Sequence, residues 1–293
     1  MKTLTILMST YNGEKFLDKQ MQSIVSQKDV DDIKIRILVR DDGSTDGTID
    51  ILNKWKKRID ISIIKGENIG ARNSFFVLLN SAPKSDYYAF CDQDDIWNYD
   101  KIAKSLNCII KDKTLYFSNV EYIDKNDYSL KKNLLSKDFA LSLERLFMCN
   151  PANGCTMVWD DGIQEVLKKV NNSSFTMHDE FVCMVAFVAG NVVYDEIPSM
   201  KYRIHGENVT QQRSLRKKYK LWKEIWFGRR SYSIDKRAHE LQKHNIYPEN
   251  IKKLKSIQEY KKGLNRIKLA HSYSCEDKRI QRSFRIRTLL GII

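Results

Sequence analysis

The stretch CDQDDIW, Cys91 to Trp97, sets Asp92, Asp94 and Asp95 within four residues, directly after the apolar run Tyr87-Tyr88-Ala89-Phe90. Like charges at this spacing oppose one another's ionisation unless a cation sits among them. The cluster is therefore either a solvated turn or a place to hold a metal. Asp92-Gln93-Asp94 also has the form of the D-x-D of aspartate-nucleophile phosphatases, but that motif closes the first strand of its sheet and this one closes the fourth. Two other polar clusters follow strand-like runs, Ser9-Thr10-Tyr11-Asn12 and Asp41-Asp42-Gly43-Ser44. Further along, MHDEF offers Asp179 and Glu180 as acid–base groups beside His178, and YRIH offers His205. Each has a plainer reading. Carboxylates at a helix start are favoured by its dipole, and a lone His is commonly structural.

The loop DDGSTDGT (Asp41–Thr48) imitates a calcium loop, with Asp42, Ser44, Asp46 and Gly47 at positions 1, 3, 5 and 6 of an EF-hand. Position 12 is then Asn53, where a bidentate Glu belongs, and a strand precedes the loop instead of a helix, so the calcium reading fails. A tight turn with Asp46 near a helix start explains part of the motif. It leaves Asp41, still on the strand end, unexplained. No G-x-G-x-x-G follows the first strand and no G-x-x-x-x-G-K-[ST] occurs, which argues against Rossmann cofactors and P-loop hydrolysis. The hydrolase elbow G-x-S-x-G is missing as well.

These residues need a scaffold, and the first 120 residues supply one by alternation. Strand-like runs at Leu4–Met8, Ile33–Val39, Ile61–Ile64, Tyr87–Phe90 and Leu115–Val120 are separated by helix-like segments at Glu14–Gln27, Asp46–Lys57, Ala71–Asn80 and Lys101–Ile110. That pattern predicts βαβ units and a mainly parallel sheet. In such sheets ligands bind at the carboxyl ends of strands, where the three polar clusters fall. Periodicity adds a helix at Asp179–Ala189 and extended segments at Val192–Tyr194 and Met200–Ile204.

A chain of 293 residues with 42% hydrophobic content, 12 Gly and 4 Pro is ordered and long enough for a real core. No run of 18 apolar residues exists to span a membrane. The N-terminus, MKTLTILMSTYNG, reads as a first strand and not as a signal peptide. The six cysteines never form C-x-x-C, so reduced thiols in a cytosolic setting are expected. Charge is uneven. Residues 1–212 hold 27 Lys+Arg against 30 Asp+Glu, whereas residues 213–293 hold 23 against 7. The net +13 thus belongs to the C-terminal region, and a boundary is expected near Gln212.

The ordered motifs STYNGE (Ser9–Glu14), DDGSTDGT, ENIGARNSF (Glu67–Phe75), CDQDDIW, NGCTMVW (Asn153–Trp159), MHDEF (Met177–Phe181) and YRIHGENVT (Tyr202–Thr210) resemble glycosyltransferase family 2. They are most similar to its bacterial rhamnosyltransferase-like members, which build capsule, O-antigen or cell-wall polysaccharide. The resemblance covers residues 1 to about 210. It implies an α/β GT-A fold: a Rossmann-like, mainly parallel sheet flanked by helices. It also implies a nucleotide-sugar donor (dTDP-rhamnose or a UDP-hexose), a Mg²⁺ or Mn²⁺ ion, and inverting transfer.

By that resemblance Asp94 ligates the cation, His205 closes on the metal or diphosphate, and Asp92 contacts the ribose or sugar, with Asp95 behind. Asp41 accepts from the base, Thr10 and Tyr11 line base and ribose, and Asn68 and Arg72 approach the nucleotide. Asp179 becomes the general base, with Glu180 its rival. The expected division is a catalytic domain over residues 1–212, with a nucleotide-sugar half to about residue 120 and an acceptor half beyond, then a basic, mainly helical region over 213–293.

In KKYKLWKEIWFGRR (Lys217–Arg230), Tyr219, Trp222, Ile225 and Trp226 share a helical face between basic residues, and RIQRSFRIRTLLGII repeats the style with Ile280, Phe284, Leu289 and Leu290. Such segments either lie on an anionic membrane surface or pack on the catalytic domain with a solvated basic face. A lipid-linked acceptor would favour peripheral contact with the inner face of the cell membrane. No nucleic-acid module accompanies the charge, so nucleic acid is not expected as a partner. A homodimer stays open.

Overall fold

The computed structural model describes residues 1–135, 141–148, 150–205, 234–262, 264–272 and 278–290. They form two units. The first comprises Met1–Phe139, Ala152–Lys168 and Asn191–His205; the second comprises Ala140–Pro151, Lys169–Gly190 and Gly206–Ile293. The boundary expected near Gln212, and the segment Lys217–Arg230, lie outside the described residues.

The strands of the first unit are β1 (Lys2–Thr10), β2 (Ile33–Asp41), β3 (Asp60–Lys65), β4 (Tyr87–Cys91), β5 (Ile96–Trp97), β6 (Thr114–Ser118), β7 (Glu121–Ile123), β8 (Ser129–Asn133), β9 (Val158–Asp160), β10 (Asn191–Asp195) and β11 (Met200–Arg203). Seven of them form one sheet in the order β10-β6-β9-β4-β1-β2-β3. Only β9 runs antiparallel to its neighbours, β4 and β6. Helices α1 (Glu14–Val25), α2 (Thr48–Trp55) and α3 (Ala71–Ser81) cross between the first four strands. α4 (Lys101–Cys108) then leads into β6. The mainly parallel α/β architecture expected from alternation is the one observed.

Local chemistry explains the pattern. Leu4, Ile6, Leu7 and Met8 of β1 are all fully buried, as befits a central parallel strand covered on both faces. α1 buries Phe16, Leu17, Gln20, Met21 and Ile24, one helical stripe, and turns its charged residues outward. β4 is buried throughout; Phe90 packs on Phe75 at 5.1 Å and on Trp159 of β9 at 4.7 Å between ring centroids.

Register then places the polar strand ends side by side. Thr10 pairs with Asp41 at the ends of β1 and β2, and Met8 pairs with Cys91 at the end of β4. A second sheet, β5-β11-β7-β8, does the remaining work. Pairing of Met200 with Trp97 and of Tyr202 with Tyr122 returns the chain to the acidic loop 92–95, more than a hundred residues after it left.

In the second unit α7 (His178–Ala189) follows the short helix α5 (Leu143–Met148), which precedes the first unit's α6 (Asp161–Leu167) in the chain. α7 is apolar all round and is buried accordingly. Among the described residues the unit also holds helices Ile234–His244, Pro248–Gln258, Asn265–Ser272 and Lys278–Leu290. Cys91, Cys108, Cys155 and Cys183 are free thiols. No helix among the described residues is long and apolar enough to cross a membrane.

Candidate active site

The loops after β1 and β2 are stitched together through side chains. Four successive amides after β1 are each held: Tyr11 N–H by Gln93 Oε1 (2.9 Å), Asn12 by Ser44 Oγ (2.9 Å), Gly13 by Thr48 Oγ1 (2.8 Å) and Glu14 by Asp46 Oδ2 (3.0 Å). Asn12 sits at φ 47°, a left-handed conformation that Asn tolerates, and its Oδ1 accepts from the Thr45 amide at 2.9 Å. The loop's amide donors are therefore spent on the protein. It cannot act as the amide cradle by which a P-loop grips phosphate.

Asp41 and Thr10, both buried, meet here. Thr10 Oγ1 donates to Asp41 Oδ1 at 3.0 Å, and Ser44 adds its amide (2.9 Å) and hydroxyl (2.6 Å). A carboxylate accepts about four hydrogen bonds, so Asp41 keeps capacity for one more donor. Tyr11 exposes its side chain at the rim. Asp42 is turned the other way. It pairs with buried Arg40 and accepts from the amides of Ile69 (2.9 Å) and Gly70 (2.8 Å), which sets the turn carrying Asn68. Asn68 is exposed on that turn, and Arg72 lies along its own helix, donating to Asn73 at 2.7 Å over the Phe76 ring.

At the end of β4 the acidic residues separate by environment. Asp94 Oδ2 lies 2.7 Å from His205 Nε2, with both side chains partly exposed. His205 rests against the Phe16 ring at 5.0 Å. Asp95 is buried and accepts from the Arg203 amide at 2.9 Å. Burial first, then the charges of Asp94 and Asp92, pushes its carboxyl well above the ordinary range. Arg203 ties this corner together: fully buried over Phe16, it donates to the Asp94 carbonyl at 2.8 Å and to the Asp124 carbonyl at 3.2 Å, and pairs with Asp127. Below lies Lys101, also fully buried, bonded to the Cys155 carbonyl (3.1 Å) and Ser199 Oγ (3.3 Å). Desolvation lowers its pKa to about 8.

Among the described residues two donor sets come into question for a cation. Asp92, Asp95 and Cys155 bring ligand atoms within 4.8 Å of one another. Burial pushes the Cys155 thiol far up, and sulfur suits softer metals than Mg²⁺ or Mn²⁺. Asp94 offers a carboxylate oxygen, the ligand type that suits Mg²⁺ or Mn²⁺ ions keeping water and phosphate, and the imidazole of His205 lies 2.7 Å from it as a second donor.

In the second unit Asp179 and Glu180 start α7. Glu180 is buried, forms an ion pair with Arg237 and accepts from the Thr176 amide at 2.7 Å. Asp179 is partly exposed, and its Oδ1 accepts from the Glu180 amide at 2.6 Å. Asp179 is thus the acid whose side chain remains in reach of solvent.

The structure joins Thr10 to Asp41 and Asp94 to His205. Asn68 and Arg72 sit on the turn held by Asp42 and on the helix that follows it. Sequence reasoning passed over Gln93, Asp42, Arg203 and Lys101 as working parts, although the first three lie inside quoted motifs. Nothing in a linear motif marks which member faces inward.

Comparison with known proteins shows the family and the fold. The profile of Glycosyl transferase family 2 matches residues 5–164. The dTDP-rhamnosyl transferase RfbG of Shigella flexneri is 34% identical over 229 residues, 73% of this chain and 77% of that protein. The UDP-Glc:alpha-D-GlcNAc-diphosphoundecaprenol beta-1,3-glucosyltransferase WfaP of Escherichia coli is 32% identical over 43% of this chain and 49% of its own length. Among solved structures, residues 1–349 of S. aureus TarS in complex with UDP-GlcNAc superpose with TM-score 0.63 at 15% identity, over 99% of this chain and 82% of that one. That likeness is one of fold, the GT-A arrangement of glycosyltransferases. With its sheet, its strand-end loops and most of its length matched, this chain belongs to glycosyltransferase family 2.

Proposed function

We propose that the chain transfers rhamnose from dTDP-rhamnose, or another hexose from a UDP-sugar, to a lipid-linked glycan during cell-surface polysaccharide assembly, with inversion at the anomeric carbon. The observation that carries this reading is the 2.7 Å approach of Asp94 to His205 beside loops whose own amides are already spent. With no amide cradle, the charge of a diphosphate has to be met elsewhere. Asp94 and His205 would hold a Mg²⁺ or Mn²⁺ ion, which when bound would supply that neutralisation.

The other roles follow from what each side chain has left to give. Asp41 takes the base N–H with its remaining acceptor site, Thr10 and Tyr11 flank base and ribose, and Asp92 serves the ribose or sugar. Asp179 takes the proton from the acceptor hydroxyl. The hydroxyl oxygen bonds to the anomeric carbon as the bond to the diphosphate, on the opposite face, breaks and leaves its electron pair on the phosphate. The relatives' names point the same way, one to a dTDP-rhamnose donor and one to a diphosphoundecaprenol acceptor.

A thermal-shift panel with Mn²⁺ and dTDP-rhamnose, UDP-glucose, UDP-GlcNAc or GDP-mannose tests it. Ligand at a hundredfold its Kd stabilises by about 2.7 kcal/mol, which moves the melting point by several degrees. A shift with dTDP- or UDP-sugars, with nucleoside diphosphate released on turnover, is expected; no shift with any of the four overturns the reading.

Peripheral contact with an anionic membrane fits the same acceptor. In the last helix Phe284 is buried while Ile286, Leu289 and Leu290 are exposed, on a helix that also exposes Lys278 and Arg282. Trp222 and Trp226 lie outside the described residues. Each basic residue near an anionic surface contributes up to ~1 kcal/mol. Vesicles containing anionic lipid should bind the protein and release most of it as the Debye length falls below ~8 Å, leaving a salt-insensitive remainder from apolar insertion. Equal binding to neutral vesicles would remove the electrostatic part of the argument.

A further inference from the structure

Gln93, the middle residue of Asp92-Gln93-Asp94, turns its side-chain amide onto the loop after β1. Its Oε1 accepts from the Tyr11 amide at 2.9 Å and its Nε2 donates to the Tyr11 carbonyl at 3.0 Å. One amide thereby satisfies both backbone groups of a residue 82 positions away. The backbone ladder between β1 and β4 ends at Met8 and Cys91, so the side chain continues the pairing where the strands stop. Room for it comes from Gly13: a Cβ there would lie 2.2 Å from Gln93 Oε1 and 2.6 Å from its Cδ. Those atoms are the end of a flexible side chain, so alanine at 13 would expel the glutamine without breaking the fold. Gly13 has φ −96°, so its lack of a side chain serves space and not backbone conformation.

We propose that Gln93 is a positioning residue for the donor nucleoside, clamping the Thr10–Gly13 loop to the acidic loop, and that Gly13 is small to admit its amide. This rests on the donor reading above. It links the part of the site that would hold base and ribose to the part that would hold the diphosphate.

The test is a double-mutant cycle over Gly13→Ala and Gln93→Ala, with Gln93→Met to keep the volume without the polar pair. Hydrogen exchange of the 10–13 segment without any nucleotide should quicken about tenfold in every variant, as two ordinary hydrogen bonds are lost. Titration with UDP or dTDP in Mn²⁺ should show about tenfold weaker binding in each single variant, with KM for the donor raised and kcat nearly kept. The double variant should be no worse than Gln93→Ala alone, because the alanine at 13 has nothing left to expel. Unchanged exchange in Gln93→Met, or losses that add in the double variant, overturns the proposal. Absence of nucleotide binding by the wild-type protein sinks the donor reading instead, and the exchange result then judges the clamp alone.

Discussion

If Asp179 is the general base as proposed, Asp179→Asn is expected to lower sugar transfer by about 10²- to 10⁴-fold while leaving donor affinity unchanged. The neighbouring substitution behaves differently. Glu180 shares a buried ion pair with Arg237, the two side chains being 10% and 6% exposed, and it also accepts the Thr176 amide. Breaking such a pair by removing one partner strands the other charge and costs about 3–5 kcal/mol. Glu180→Gln should therefore melt several degrees lower, and the protein that remains folded should still turn over. Single-turnover rates beside a denaturant melt separate the two effects. A stable but inactive Glu180→Gln together with an active Asp179→Asn would reverse the assignment of base and brace.

The second large effect concerns the cation. Asp94→Asn can keep a hydrogen bond to His205, so the fold should hold, but the ligand charge is gone. Metal neutralisation of phosphate charge is worth several kcal/mol. A loss of about 3 kcal/mol corresponds to roughly a hundredfold in Kd. Titration of nucleoside diphosphate with Mn²⁺ and with chelator should show that difference in the wild type and little of it in the variant. If Asp94→Asn retains the full Mn²⁺-dependent gain, the cation is held elsewhere, and the Asp92, Asp95 and Cys155 group becomes the site to examine.

The three strand-end clusters could be read from the chain because they depend on local chemistry. A run of five buried apolar residues followed by carboxylates can only be a strand that surfaces, and helices with one apolar stripe between such strands leave few topologies. Elements without a local signal were not legible. β9 is three residues long, too short for a periodicity, yet it stands between β4 and β6 and places Trp159 against Phe90. The C-terminal region was expected to be mainly helical, with Phe284 among its apolar positions, but the bounds of helices such as Ile234–His244 and Pro248–Gln258 were not read.

What the sequence by itself determined was the alternation of strands and helices over the first 120 residues and the kind of chemistry at the strand ends. Alternation and residue type are written locally, and the motif set names the family. How each motif's residues are placed and paired was decided by tertiary structure. His205 reaches Asp94 across 111 positions only because β11 pairs with β5 and β7. Asp95, one residue from Asp94, is withdrawn from solvent by the Arg203 amide and burial. Glu180, adjacent to Asp179 and chemically alike, is taken up by Arg237, 57 positions further on. Neighbours with the same functional group are equivalent along a chain, and they become different only when packing buries one and leaves the other partly exposed.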